Sequence, residues 1–243
     1  MSSEPMNSIK KAHRGWVYSE AGDYHRYLDL GWSYAPTYLQ KIKLTRKFIE
    51  SLNPDYKILD IGCGEGVFVE EYVRQGRDIQ GIDLNYESEF VRQGNILDLP
   101  FPDSHFDTIM LLDVFEHIAF KDQPKALTEI YRVLKPEGLF FTSIPNLAHF
   151  NSRVIFSIFG RLDRTDNELD HLGERPFKEN RELLEAANFK LLNCVGVTLS
   201  VPYIYRRLIC RHAKQLRFLH DLFEPIARAA PGWAMLDFFT CQK

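Results

Sequence analysis

Only four cysteines occur in 243 residues, Cys63, Cys194, Cys210 and Cys241, and they form neither a CxxC pair nor a metal-finger spacing. That excludes a disulfide framework and a zinc ribbon, and leaves four reduced thiols in a cytoplasmic protein as the expectation. No apolar run approaches the roughly 18 residues of a membrane-spanning helix; the most tempting stretch, Val154 to Phe159, is far shorter. Met1 to Lys11 lacks the apolar centre of a signal peptide, so none is expected. A basic excess is missing too: the formal net charge of -3 speaks against a dedicated nucleic-acid binder. Internal repeats and low-complexity runs are also absent.

Apolar residues make up 45% and charged residues 26% of the chain, the balance of a globular protein with a real core. The length suits one large domain with a small cap. Residues 1–37 read as a polar tail followed by an aromatic cap (Trp16, Tyr18, Tyr24, Tyr27, Trp32, Tyr34). The domain proper runs over 38–243. Leu39, Ile42, Ile49 and Leu52 give a helical stripe before Asn53-Pro54. Strands are expected at 57–61, 79–82, 90–92, 106–112, 139–144, 189–199 and 235–241. Helices are expected after Gly66 and over 124–134, 150–159, 177–187 and 203–228, the last broken at Pro225. Such alternation means a mostly parallel sheet covered on both faces.

The strand at 57–61 runs into Asp60-Ile-Gly62-Cys63-Gly64-Glu-Gly66. Glycines there let the backbone approach a ligand while the next helix points its N–H groups at it. Asp83, 23 residues after Asp60, ends the second strand. A carboxylate at that place accepts hydrogen bonds from the two ribose hydroxyls of an adenosine. A dinucleotide fingerprint has the form GxGxxG. Here the spacing is GxGxG, and Asp60 lies two before the first glycine, where it can meet a cationic amino-acid ligand rather than a pyrophosphate. The pattern therefore favours S-adenosylmethionine (SAM) over NAD, with a purely structural turn as the competing reading.

These motifs resemble the class I SAM-dependent methyltransferases, in particular the branch of ubiquinone-biosynthesis and related small-molecule enzymes. The resemblance is close over 38–145 and loose over 177–241. It implies an α/β, Rossmann-like fold: a seven-stranded, mostly parallel sheet with helices on both faces and the last strand antiparallel. It places the methionine part of SAM on Asp60, Gly62, Cys63, Gly64 and Gly66, and the ribose on Asp83 with Leu84 beside it. Gly94-Asn95-Ile96-Leu97-Asp98-Leu99-Pro100-Phe101 resembles the family's adenine-binding turn, with Asn95 where Asp is usual. Asn95 and Ile96 then serve the adenine. Leu112, in Leu111-Leu112-Asp113-Val-Phe-Glu116-His117, lines the same pocket.

Methyl transfer from a sulfonium needs alignment, exclusion of water and, for a hydroxyl acceptor, a base. His117, His149 and His171 are the candidate bases, each with a supporting contact behind the site or a place on the surface as its alternative. Asp113, Glu116 and His117 resemble an ExxEH segment linked to a divalent metal in ubiquinone-type O-methyltransferases; capping and packing is the competing reading, and no metal is assigned. No NPPY- or DPPY-like motif follows the fourth strand, which favours an oxygen acceptor over an amino group. Insertions at 145–176 and 200–233 decide the substrate. The second carries Arg206, Arg207, Arg211, Lys214 and Arg217 beside Leu208, Ala213, Leu216, Leu219 and Phe223. Such a helix either contacts a membrane peripherally through 203–223 or packs on the sheet with its charges in water. The expected function is methyl transfer to a small-molecule or lipid-linked acceptor. The alternatives are a SAM-binding scaffold without turnover and an NAD-dependent oxidoreductase.

Overall fold

The structure, a computed structural model, describes residues 30, 34–164 and 171–243. The aromatic cap expected over 1–37 lies outside them except for Leu30 and 34–37, where the first helix already begins. In chain order the elements are α1 (Ala35–Ser51), β1 (Ile58–Ile61), α2 (Val67–Val73), β2 (Ile79–Asp83), β3 (Val91–Gln93) and β4 (Phe106–Leu112). A single 3-10 turn (Phe115–His117) leads to α3 (Gln123–Val133), β5 (Leu134–Pro145), α4 (Phe150–Phe159), α5 (Phe177–Ala186) and β6 (Lys190–Val197). After a π-helical turn (Ile204–Ile209) come α6 (Ala213–Ala229) and β7 (Leu236–Gln242).

Seven strands form one sheet in the order β3-β2-β1-β4-β5-β7-β6. The first five are parallel, and β7 runs antiparallel to both neighbours. Ile61 pairs with Ile82 on one side and Leu111 on the other, so β1, β2 and β4 end together. The central strands β1, β4 and β7 are buried on both faces, and alternation decides which face each side chain joins. Leu59, Ile61, Ile109, Leu111 and Phe140 pack under α3 and α5 with Leu127, Ile130 and Leu184. Ile58, Met110, Phe141 and Phe238 pack with Ile49 of α1 and with Phe68, Val69 and Tyr72 of α2. By the same alternation Asp60 belongs to the α1 side of the sheet.

Three expectations are corrected. The buried stripe of α1 is Tyr38, Lys41, Thr45 and Ile49, with Leu39 and Ile42 only half-buried. The chain beneath α1 offers polar groups, Asp113 and Thr198, to which Lys41 and Thr37 bond. Lys135–Gly138 does not separate helix from strand: β5 starts at Leu134, and these residues bulge where the register jumps from Phe106↔Leu134 to Thr108↔Leu139. Glu137 takes a left-handed φ of 61° there. Finally, the helix expected over 203–228 opens as a π-helical and then a 3-10 turn, and α6 runs unbroken through Pro225. Proline removes one N–H, which costs Asp221 its intrahelical donor without ending the helix. Among the described residues no helix is long and apolar enough to cross a membrane.

Candidate functional site

The loop after β1 is built from left-handed backbone: Gly62, Gly64 and Gly66 have φ of 69°, 56° and 73°. A Cβ on Gly62 would stand 2.3 Å from Val114 Cγ2, and one on Gly66 2.5 Å from Val91 Cγ2. These two glycines press the loop against its neighbours. Gly64 differs, since a Cβ there would meet nothing within 4 Å. Its backbone faces open space at the mouth of the loop, as a close-approaching ligand requires. Gly66 caps α2, and the Glu70 amide bonds to its carbonyl at 2.8 Å.

Asp83 closes the other wall. Its Oδ2 accepts the Gly64 amide at 2.9 Å and its Oδ1 the Asn85 amide at 2.8 Å. Each carboxylate oxygen has a second acceptor site, so both remain able to take a hydroxyl. Leu84, next along, is an exposed apolar side chain on the rim. Cys63 turns its thiol inward, toward Gly81 and the Ile82 carbonyl, and burial pushes that thiol far up. What Cys63 gives the cleft is backbone. Asn95 is exposed and its Oδ1 accepts the Leu97 amide at 2.9 Å, closing the turn that carries Ile96. Leu112 is half-buried at the end of β4.

Asp60 is buried, and that burial pushes its carboxyl up to about 7; Lys41 pulls it back down and Asp83 pushes it further up. Lys41 is a site residue that sequence reasoning missed. It reaches from α1, buried, to within 2.6 Å of Asp113 Oδ2. The Thr37, Lys41, Thr45 spacing, polar residues on one helical face, was the signal available. Asp113 takes φ 55°, and its Oδ1 accepts the Ser143 hydroxyl.

That pairing undoes the expected helical face of Asp113, Glu116 and His117. Only Phe115–His117 is helical, and Asp113 turns to Lys41 instead. His171, from the insertion, comes to Glu116 and His117, and the ligand atoms of these three lie within 4.8 Å of one another. The two imidazole rings meet edge to face at 5.0 Å. Glu116 is buried, and its Oε2 has no hydrogen-bond partner among the described residues; burial, then Asp113, raises its carboxyl well above the ordinary range. Two imidazoles and a carboxylate of this kind can move protons or hold a divalent cation. His149 is separate in kind: it is buried, its Nδ1 meets the Ser200 hydroxyl at 2.7 Å, and its Nε2 lies 2.9 Å from the Asp163 carbonyl. It also caps α4 by accepting the Ser152 amide.

Comparison with known proteins gives the chain's relatives. A family profile described as "Methyltransferase domain" matches residues 59–142. A probable S-adenosylmethionine-dependent methyltransferase of Mycolicibacterium smegmatis is 34% identical over 58% of this chain and 54% of its own length. An uncharacterised protein of Methanocaldococcus jannaschii is 31% identical over 63% of this chain and 68% of its own. The chain thus spans about half of the first relative and two thirds of the second. Among solved structures, the 1,6-didemethyltoxoflavin-N1-methyltransferase of Burkholderia thailandensis, with bound 1,6-didemethyltoxoflavin and S-adenosylhomocysteine, covers 100% of this chain and 92% of its own with a TM-score of 0.54. At 18% identity that likeness speaks for the fold alone.

Proposed function

The chain belongs to the class I SAM-dependent methyltransferases, and from that premise we propose that it moves the methyl group of SAM to an oxygen of a small-molecule or lipid-linked acceptor. The observation that carries the reading is the Gly64–Asp83 wall: a glycine facing open space, bonded to a carboxylate with acceptor sites to spare. The bound sulfonium supplies an already activated methyl group. Asp83 takes the ribose hydroxyls, Leu84 and Leu112 cover the ligand's apolar surface, and Asn95 and Ile96 serve the adenine. Asp60 faces the methionine ammonium, with Cys63 and Gly62 holding the loop around it.

In-line displacement forms a bond from the acceptor oxygen to the methyl carbon and breaks the carbon–sulfur bond, whose electron pair stays on sulfur. The hydroxyl proton passes to a base. His117, half-exposed beside His171, fills that role best, and His149 supports the site through α4. Oxygen is favoured because no NPPY- or DPPY-like segment follows β4. A lipid-linked acceptor would come from a bilayer held against residues 203–223.

Incubation with methyl-labelled SAM and a panel of phenolic, sugar and lipid-linked acceptors tests this. Label on a hydroxyl with matching S-adenosylhomocysteine is expected. Label confined to amines would overturn the oxygen assignment, and bound SAM with no transfer to any acceptor would leave a scaffold.

A further inference from the structure

The inward side of α6 mixes buried His220, Glu224 and Ala227 with half-buried Leu216, Leu219 and Phe223, and further apolar residues face outward. His220 and Glu224 are each 3% exposed, and they bond to Thr198, whose hydroxyl lies 3.0 Å from His220 Nε2 and whose amide reaches Glu224 Oε2 at 3.1 Å. On the opposite side Phe218, Leu222 and Ile226 are 62%, 65% and 51% exposed. Residues four apart share a helical face, so the three form one stripe. A helix whose apolar residues were all taken up by the core would leave no such stripe outside.

Exposed cations lead into this stripe, two in the turns before α6 and two in its first two turns. Arg207, Arg211, Lys214 and Arg217 are all exposed. Across 201–229 the acids are Asp221 and Glu224. Glu224 is buried, and Asp221 lies 3.9 Å from Arg217 and accepts from Gln40. Four cations leading into an apolar stripe complement an anionic lipid surface, where the side chains enter the acyl boundary and the cations meet phosphate. A second copy would bring four like charges against four. A nucleic acid would leave the apolar stripe at the centre unmatched.

We propose that the Phe218–Leu222–Ile226 face of α6 seats the protein on an anionic bilayer, with Arg207, Arg211, Lys214 and Arg217 at the level of the phosphates. This deepens the lipid-linked arm of the proposed function and rests on that reading only for access of the acceptor; the seating is measurable without turnover.

The test is sedimentation of the full chain with vesicles of phosphatidylcholine alone and of phosphatidylcholine mixed equally with phosphatidylglycerol. Binding to the mixed vesicles, released by high salt, is expected. Phe218→Gln with Leu222→Gln should lower partitioning by at least about tenfold, and Lys214→Gln with Arg217→Gln should lower it on mixed vesicles only. Calorimetric SAM affinity should stay unchanged in both, which shows that the variants fold. Absence of binding by the native chain would overturn the proposal. So would undiminished binding by the Phe218/Leu222 variant, loss of binding only when Phe156 and Phe159 of α4 become Gln, or a dimer that the Phe218/Leu222 variant abolishes. Vesicle binding without any SAM binding would sink the proposed function and leave this seating intact.

Discussion

The Gly64 amide donates to Asp83 Oδ2 at 2.9 Å, tying the loop after β1 to the end of β2. Through that bond two parallel strands present one wall, the backbone of Gly64 and the carboxylate of Asp83, to the same space.

Gly64 and Gly62 should therefore fail differently when changed to alanine. A left-handed φ costs a Cβ-bearing residue about 1–2 kcal/mol at either position, a loss of roughly 2–8 °C in a chain of this size. At Gly64 that is the whole folding cost, because the new methyl meets nothing within 4 Å. It fills ligand space instead, so Gly64→Ala should melt within that range and bind SAM more than about tenfold more weakly. Gly62→Ala adds a clash with Val114 and should melt lower still. Differential scanning calorimetry beside titration calorimetry separates the two.

The proposed place of the SAM ammonium beside Asp60 should make SAM affinity depend on pH. Its carboxyl is pushed up to about 7 by burial, and the ligand's ammonium needs the ionised form. Affinity should rise as pH climbs toward 7 and level off above it. Stability of the ligand-free protein carries the opposite sign. A carboxyl raised in the folded state contributes stability that is fully present below its unfolded pKa, near 4, and is lost as pH rises through about 7. Asp60→Asn should flatten the affinity profile. Lys41→Met removes the group that pulls Asp60 down and should move the inflection upward. Titration calorimetry from pH 5.5 to 8.5 reads both.

The histidines divide by their partners. His149→Ala loses two side-chain hydrogen bonds and a helix cap. It should cost about 2–3 kcal/mol of stability. His117→Gln, at a side chain 39% exposed, should leave the melting temperature within about a degree. Its effect falls on kcat, by about 10²-fold or more with a hydroxyl acceptor. Equal loss of kcat in His149→Ala with an unchanged melting temperature would reverse these roles.

Much of the fold was legible because its signals are local. The glycine loop, Asp83 and the helical spacing of Leu127, Ile130, Tyr131 and Leu134 each declare themselves within a few residues, and each stands where expected save Leu134, which already opens β5. What escaped reading depends on distant contacts. Lys41 is separated from Asp113 by 72 residues, and the polar face it shares with Thr37 and Thr45 does not name its distant partner. His171 reaches His117 because Gly173 is pinned on the turn below: its amide meets the Glu116 carbonyl at 2.8 Å, and its carbonyl accepts from Gln123 at 2.8 Å. A Cβ at Gly173 would stand 2.0 Å from the Ile118 carbonyl oxygen, a constraint that exists only once the insertion has docked. The outward apolar face of α6 was hidden for the same reason, since His220 and Glu224 turn inward only to meet Thr198.

The most direct measurement is calorimetric titration of the purified chain with SAM, S-adenosylhomocysteine and NAD, repeated on Asp83→Ala. Hydrogen bonds to a carboxylate contribute about 1.5–3 kcal/mol each, so the account predicts binding of both adenosyl ligands, weakened about 10²-fold or more in Asp83→Ala, and none of NAD. A folded protein that binds NAD, or that binds SAM equally well without the Asp83 carboxylate, would contradict it.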